Sequence, residues 1–179
     1  MGTRLIHKGQ KGFTLVELLI VIAITGLIAG GLTTTIMQML TMSHDTANHM
    51  TAVRQVQQAG FWISPDVQMA RNVTPGGSPG FSLNLTWTDY GTGDLHQVVY
   101  TLEDMPSGEF KILQREHYIK TVLDSTIKVA EYINPDQTSI DPDVPCYFPD
   151  CDKFIFTVTA TVGGQSETKI YELKPRPGS

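Results

Sequence analysis

Between positions 18 and 44 the chain has no Asp, Glu, Lys or Arg, so 27 consecutive residues carry no formal charge. That gap excludes a protein lying wholly in water, because about 20 apolar helical residues cross a hydrocarbon layer of roughly 30 Å. Basic residues are also in deficit. Thirteen Lys and Arg stand against 18 Asp and Glu, a formal −5, which argues against a nucleic-acid surface. Cysteine is nearly absent: Cys146 and Cys151 are the only two, and no second Cys or His pair stands at ligand spacing beside them. The chain lacks G-x-S-x-G, Walker A, H-E-x-x-H and G-x-G-x-x-G signatures. Its five histidines (His7, His44, His49, His96, His117) are scattered and read as surface residues. No catalytic residue, metal or cofactor is expected, and the chain is not read as an enzyme.

What is present begins with the apolar run itself. Its densest part, LLIVIAITGLIAGGL at 18–32, continues through TTTIMQML without a charge. Before it lies MGTRLIHKGQKG, whose only charged residues are Arg4, Lys8 and Lys11. Basic flanks stay cytoplasmic, so a single crossing with the N-terminus in and the C-terminus out is expected. A cleaved secretory signal fits poorly: the run is too long, and Ile28-Ala29-Gly30-Gly31 is a weak small-x-small site. A plain anchor fits better but leaves Glu17 without a purpose. An acid inside the start of a membrane helix costs free energy and is by default functional, with a partner to be found.

The stretch KGFTLVELLIVIAI, with Lys11, Gly12, an aromatic Phe13 and then Glu17, resembles the amino terminus of type IV pilin-like proteins, the prepilins and pseudopilins. The resemblance implies that Gly12 ends a leader cut on the cytoplasmic side by a prepilin peptidase. It implies that Phe13 becomes the new terminus and is N-methylated, and that Glu17 serves subunit assembly by meeting a neighbour's terminal amine. An amine and a carboxylate offset each other's burial, whereas either alone is expensive. The implied partners are the peptidase, other pilin or pseudopilin subunits, an inner-membrane assembly platform and membrane lipid, with no nucleic acid. Losing the leader removes three of the 13 basic residues and no acid, leaving 10 against 18, or −8.

Four segments are expected: a leader at 1–12, a membrane and assembly helix at 13–40, an amphipathic helix at 41–73, and a β-rich part at 74–179. In the second helical segment Val53, Val56, Gly60, Ile63, Val67 and Ala70 alternate by three and four, one apolar stripe. Arg54, Gln55, Gln57, Gln58 and Asp66 lie off it. Ser64-Pro65-Asp66 reads as an N-cap, N1 and first-turn triplet, so a kink or restart is expected near 64–65, with the helix ending near Asn72. The stripe packs on a sheet or contacts sister subunits.

Pro75-Gly76-Gly77-Ser78-Pro79-Gly80 breaks the chain. Phe81, Leu83, Leu85 and Trp87 then alternate with polar residues, and Phe154, Phe156, Val158, Ala160 and Val162 do the same before a Gly163-Gly164 turn. Further strands are expected at 97–102, 110–114, 118–123, 126–133 and 168–173. A long helix followed by strands predicts an α+β fold with an antiparallel sheet. This order matches the pilin architecture, and the strand number with VRQVQQAGFWISPDVQMARNV is most similar to J-type minor pseudopilins and minor pilins. Many major pilins have a Pro about twenty residues into the mature helix. Here that region reads Leu32-Thr33-Thr34-Thr35, which favours a minor subunit.

Cys146 and Cys151 bracket CYFPDC and are either bridged or two free thiols. Asp141, Asp143, Asp150 and Asp152 surround them, a solvated acidic loop or a calcium loop without the Gly and Glu of an EF-hand. Two functions stay in view: a filament subunit, and a membrane-anchored extracytoplasmic binding module that does not polymerise.

Overall fold

A computed structural model describes residues 12–76, 81–141, 146–147 and 153–175. The chain divides into two units, Met1–His44 and Asp45–Ser179.

From Leu15 onward the first unit is helical. Helix α1 (Leu15–Met69) has no Pro before Pro65, and it is the one helix long and apolar enough to cross a membrane among the described residues. Its apolar side chains through Met42 are exposed. The threonines that interrupt the apolar run have satisfied hydroxyls. Thr25 donates to the Val21 carbonyl at 2.7 Å, Thr33 to Ala29 at 2.9 Å, Thr35 to Gly31 at 2.9 Å and Thr41 to Met37 at 3.1 Å. Each bond reaches one turn back, so no hydroxyl needs water where none is available.

The second unit is the last part of α1 packed on an antiparallel sheet, the α+β, pilin-like arrangement expected. Its strands are β1 (Asn72–Pro75), β2 (Ser82–Thr88), β3 (Leu95–Asp104), β4 (Lys111–Ile119), β5 (Val122–Ile133), β6 (Ser139–Asp141), β7 (Cys146–Tyr147), β8 (Phe154–Val162) and β9 (Gln165–Leu173). They run in the order β6-β8-β5-β4-β3-β2-β1-β7, with β9 also on β8. The helix buries Ala52, Val56, Ala59, Ile63 and Val67 against Leu83, Leu85, Val98, Tyr100, Phe156 and Val158. Each large apolar side chain so buried contributes about 1.5–3 kcal/mol.

The buried stripe is rotated from the one read in the sequence. Ala52 replaces Val53, and Ala59 and Asp66 join it. Gly60 explains the close approach. A Cβ there would lie 2.0 Å from Cζ of Tyr171, whose hydroxyl donates to the Val56 carbonyl at 2.9 Å. Helix α1 does not restart at Ser64 but continues through Pro65. The carbonyl left without its donor belongs to Phe61, whose side chain is 72% exposed on the solvent side of the helix. The helix stops at Met69, and Asn72 already belongs to β1, paired with Thr86.

The expected strand at 118–123 is instead a hairpin reversal. Tyr118 pairs with Leu123 and Ile119 with Val122, around Lys120 and Thr121 at φ 51° and 69°. The Gly163-Gly164 turn has the same left-handed signs, 54° and 82°, at no steric cost. Thr121 is β-branched and strained there. Thr121→Gly should therefore stabilise the protein by about 1 kcal/mol, read as a higher urea midpoint with an unchanged slope. In β5 the register slips beside this turn: His117 pairs with Ser125 and Tyr118 with Leu123, so Asp124 is an extra, unpaired residue. Such a bulge re-aims a side chain.

Candidate functional site

Gly12, Phe13 and Thr14 lead into α1, and Phe13 is 78% exposed. Thr14 caps the helix. Its hydroxyl accepts the Glu17 backbone N–H at 3.3 Å, and its carbonyl accepts from Leu18 at 3.2 Å. Glu17 is thus the third helical residue, in the first turn. Thr14-x-x-Glu17 is a capping-box pattern, present in the sequence itself. The first turn concentrates partial positive charge from unpaired N–H groups, which favours an acid. No ion pair of Glu17 is formed among the described residues.

A free amine at Phe13 would stand at this same positive helix end, where a cation is disfavoured. A carboxylate one turn on offsets that. Gly12, Phe13, the Thr14 cap and the Glu17 acid thus fall within six consecutive residues.

The other sequence candidates stand apart. The backbone of Cys146 opens β7 opposite Val73, whereas Cys151 lies outside the described residues, and the bridge with it. Asp141 ends β6 and is exposed, and Asp143, Asp150 and Asp152 lie outside the described residues.

Two groupings in the second unit were not legible in sequence. Asp66 is 4% exposed and sits between three donors. The Tyr100 hydroxyl donates to Oδ2 at 2.5 Å, Arg115 Nε to Oδ2 at 2.7 Å and Arg115 Nη2 to Oδ1 at 3.0 Å. The guanidinium also lies 5.5 Å from the Trp62 ring centre. Burial, then the adjacent Asp66 carboxylate, push the Tyr100 hydroxyl well above its ordinary ionisation range. Burial works against the Arg115 charge, but hydrogen bonding to Asp66 and its charge outweigh that and raise the guanidinium further. This fork ties the last turn of α1 to β3 and β4.

The histidines correct the reading that all five are isolated at the surface. His44 and His49 are exposed and His7 lies outside the described residues, but His96 and His117 are half-buried and joined. His96 Nδ1 lies 3.0 Å from His117 Nε2, and His117 Nδ1 lies 3.0 Å from Asp124 Oδ2. Trp87 stacks on His96 at 5.4 Å between ring centres.

Residues 7–33 match the family model described as the prokaryotic N-terminal methylation motif. The match supports a type IV pilin-like prepilin anchored in a membrane, and implies processing by a prepilin peptidase and assembly with other pilins. No curated protein and no solved structure matches the chain.

Proposed function

We propose that this chain, given the methylation motif over residues 7–33, is a minor pilin or J-type pseudopilin subunit of a type IV pilus-like filament. The filament is a pilus, a secretion pseudopilus or a DNA-uptake fibre. The observation that carries the reading is the junction itself: motif, capped helix start and acid coincide, with an exposed apolar helix behind them. In this reading the precursor lies in the inner membrane, N-terminus in and C-terminus out. The peptidase cuts between Gly12 and Phe13 and methylates the Phe13 amine. The subunit then leaves lipid for the filament, where Glu17 faces a neighbour's amine. The lack of Pro in the helix before Pro65 fits a minor subunit.

Mass spectrometry of the membrane fraction should find a chain starting at Phe13 with one added methyl group. Gly12→Val should leave the full-length precursor in the membrane. Intact Met1 in wild type, or a cut beyond Ala29, would overturn the reading.

The second reading, a tethered binding module, gains from one observation. The capping geometry gives Glu17 a local role that needs no neighbour. Processing does not separate the two, but the variants at Glu17 taken up in the Discussion do.

A further inference from the structure

We propose that Asp124, His117 and His96 form a proton-operated latch between the β4–β5 hairpin and β3, which keeps its bonds when one proton binds and opens when a second does. The inference stands on the second unit alone and is independent of the assembly reading.

The pairing of β2, β3 and β4 creates the chain of groups. Trp87 pairs with His96, and His117 pairs with Val98, two residues along β3. Directly paired residues share a sheet face, as do residues two apart on a strand. Trp87, His96 and His117 therefore line one face. The two imidazoles meet end-on, with ring centres 5.2 Å apart and planes within 18°. Their 3.0 Å contact thus holds one proton between His96 Nδ1 and His117 Nε2. The bulge in β5 brings Asp124 to the other nitrogen of His117. Three strands are joined this way beside a turn whose backbone is strained at Thr121, φ 69°. The same turn is tied to β3 by the Lys120 N–H, which donates to the Leu95 carbonyl at 2.9 Å.

Protons in these groups have one arrangement when both rings are neutral. The Asp124 carboxylate only accepts, so His117 carries its proton on Nδ1 and presents a lone pair at Nε2. His96 then donates from Nδ1 into that lone pair, and the one lone pair left over is its own Nε2. A first proton lands there and disturbs neither bond. The bond between the rings becomes charge-assisted. The new cation lies 5.4 Å from the centre of the Trp87 ring, within reach of its π face. Asp89, in the turn between β2 and β3, also feels it: the backbone N–H groups of Thr92 and Gly91 hold that carboxyl below its ordinary range, and attraction to His96 adds to them.

A second proton has only His117 Nε2 to occupy, where it meets the His96 N–H head-on. The bond between the rings is lost, and two cations then repel each other across it. The surrounding charges do not relieve them. Arg115, two residues along β4 on the same face, has the same sign, and its counter-ion Asp66 on α1 is held by that guanidinium. Asp94 is paired with Lys120 at 2.7 Å. The latched form therefore holds one proton where the open form holds two. The form that binds more protons gains as pH falls, so acid opens the latch. The His117 side chain is 16% exposed and Asp124 50%, so solvent protons have a path in. What is released is the tip of the hairpin, Val122 to Asp124, where a strained turn and a bulge already weaken the strand pairing.

Nitrogen NMR of the full-length chain in detergent, labelled at histidine, reads each ring nitrogen from about pH 8 down to about pH 4. At the alkaline end both His96 and His117 should carry their proton on Nδ1. On acidification His96 should gain its second proton while His117 stays neutral. Tryptophan emission should change with that step, and Trp87→Phe should remove the change while Trp62 still emits. Protonation of His117 should then lower the exchange protection of the Lys120 amide by roughly 2–10-fold, the worth of one hydrogen bond, after correction for the intrinsic rate. His117→Gln imitates the neutral ring, with an amide oxygen for His96 and an N–H for Asp124, but takes no proton. Its Lys120 protection should hold steady over the same range. Wild-type His117 protonated on Nε2 alone at neutral pH would overturn the proposal, and that reading needs no variant. So would a Lys120 amide indifferent to the protonation of His117, or one that loosens equally in His117→Gln.

Discussion

Asp66→Ala should cost the protein about 3–5 kcal/mol, because removing one partner of a buried ion pair strands the other. Arg115 would keep a charge at 8% exposure with no counter-ion, and the Tyr100 hydroxyl would lose its acceptor. Arg115→Leu should cost a similar amount for the converse reason. The combined replacement Asp66→Leu, Tyr100→Phe and Arg115→Met should recover most of the loss, since apolar groups of similar volume replace such networks at little cost. Urea unfolding of the full-length chain, followed through Trp62 beside Arg115, measures all three. A loss below about 1 kcal/mol for Asp66→Ala would place the fork with solvent-screened surface pairs. The same network sets an alkaline limit. Unfolded tyrosine ionises near pH 10, while folded Tyr100 holds its proton to higher pH. Its contribution is therefore full below about pH 10 and declines above, by up to about 1.4 kcal/mol per pH unit.

Glu17→Val should insert and be processed like wild type, since it removes a polar group from an apolar helix, yet it should fail to enter the filament. In our reading a neighbour's amine then loses its counter-charge in a low-dielectric bundle, at a cost of about 3–5 kcal/mol. Incorporation, read by shearing and immunoblot, should drop at least tenfold, with Glu17→Asp falling between the two. The capped helix start calls for two controls. Glu17→Gln keeps a residue that suits the third position of a capping box but removes the charge, and should fail like Val. Thr14→Ala loses the hydroxyl that accepts from Glu17, weakening the helix start by about 1 kcal/mol, and should assemble. The opposite order, with Gln competent and Thr14→Ala defective, would make Glu17 a capping residue of a tethered module.

What the sequence alone determined is whatever depends on neighbours along the chain. The uncharged run at 18–44 required an apolar environment, and the KGFTLVE stretch lies within the residues that match the methylation motif. Strict period two placed β2 and β8, because alternate residues of a strand face opposite sides whatever lies beside them. Gly163-Gly164 marked its turn because left-handed φ is free only to glycine, whereas Lys120-Thr121 bends the same way against its own preference and was invisible. Strands β1, β6 and β7 span only two to four residues each and leave no period to count.

Tertiary structure decided the rest. Asp66 looked like a first-turn acid after Pro65, and only the arrival of Arg115 and Tyr100, 49 and 34 residues downstream, let a carboxylate join the buried stripe. His96 and His117, 21 residues apart, meet only because β3 and β4 pair in one register, and a slip of a single residue would turn one ring to the other face. Local pattern reports which side chains leave water. Register and the helix's rotation on the sheet decide which polar groups accompany them, because a buried charge or imidazole persists only where a partner from elsewhere in the chain arrives to satisfy it.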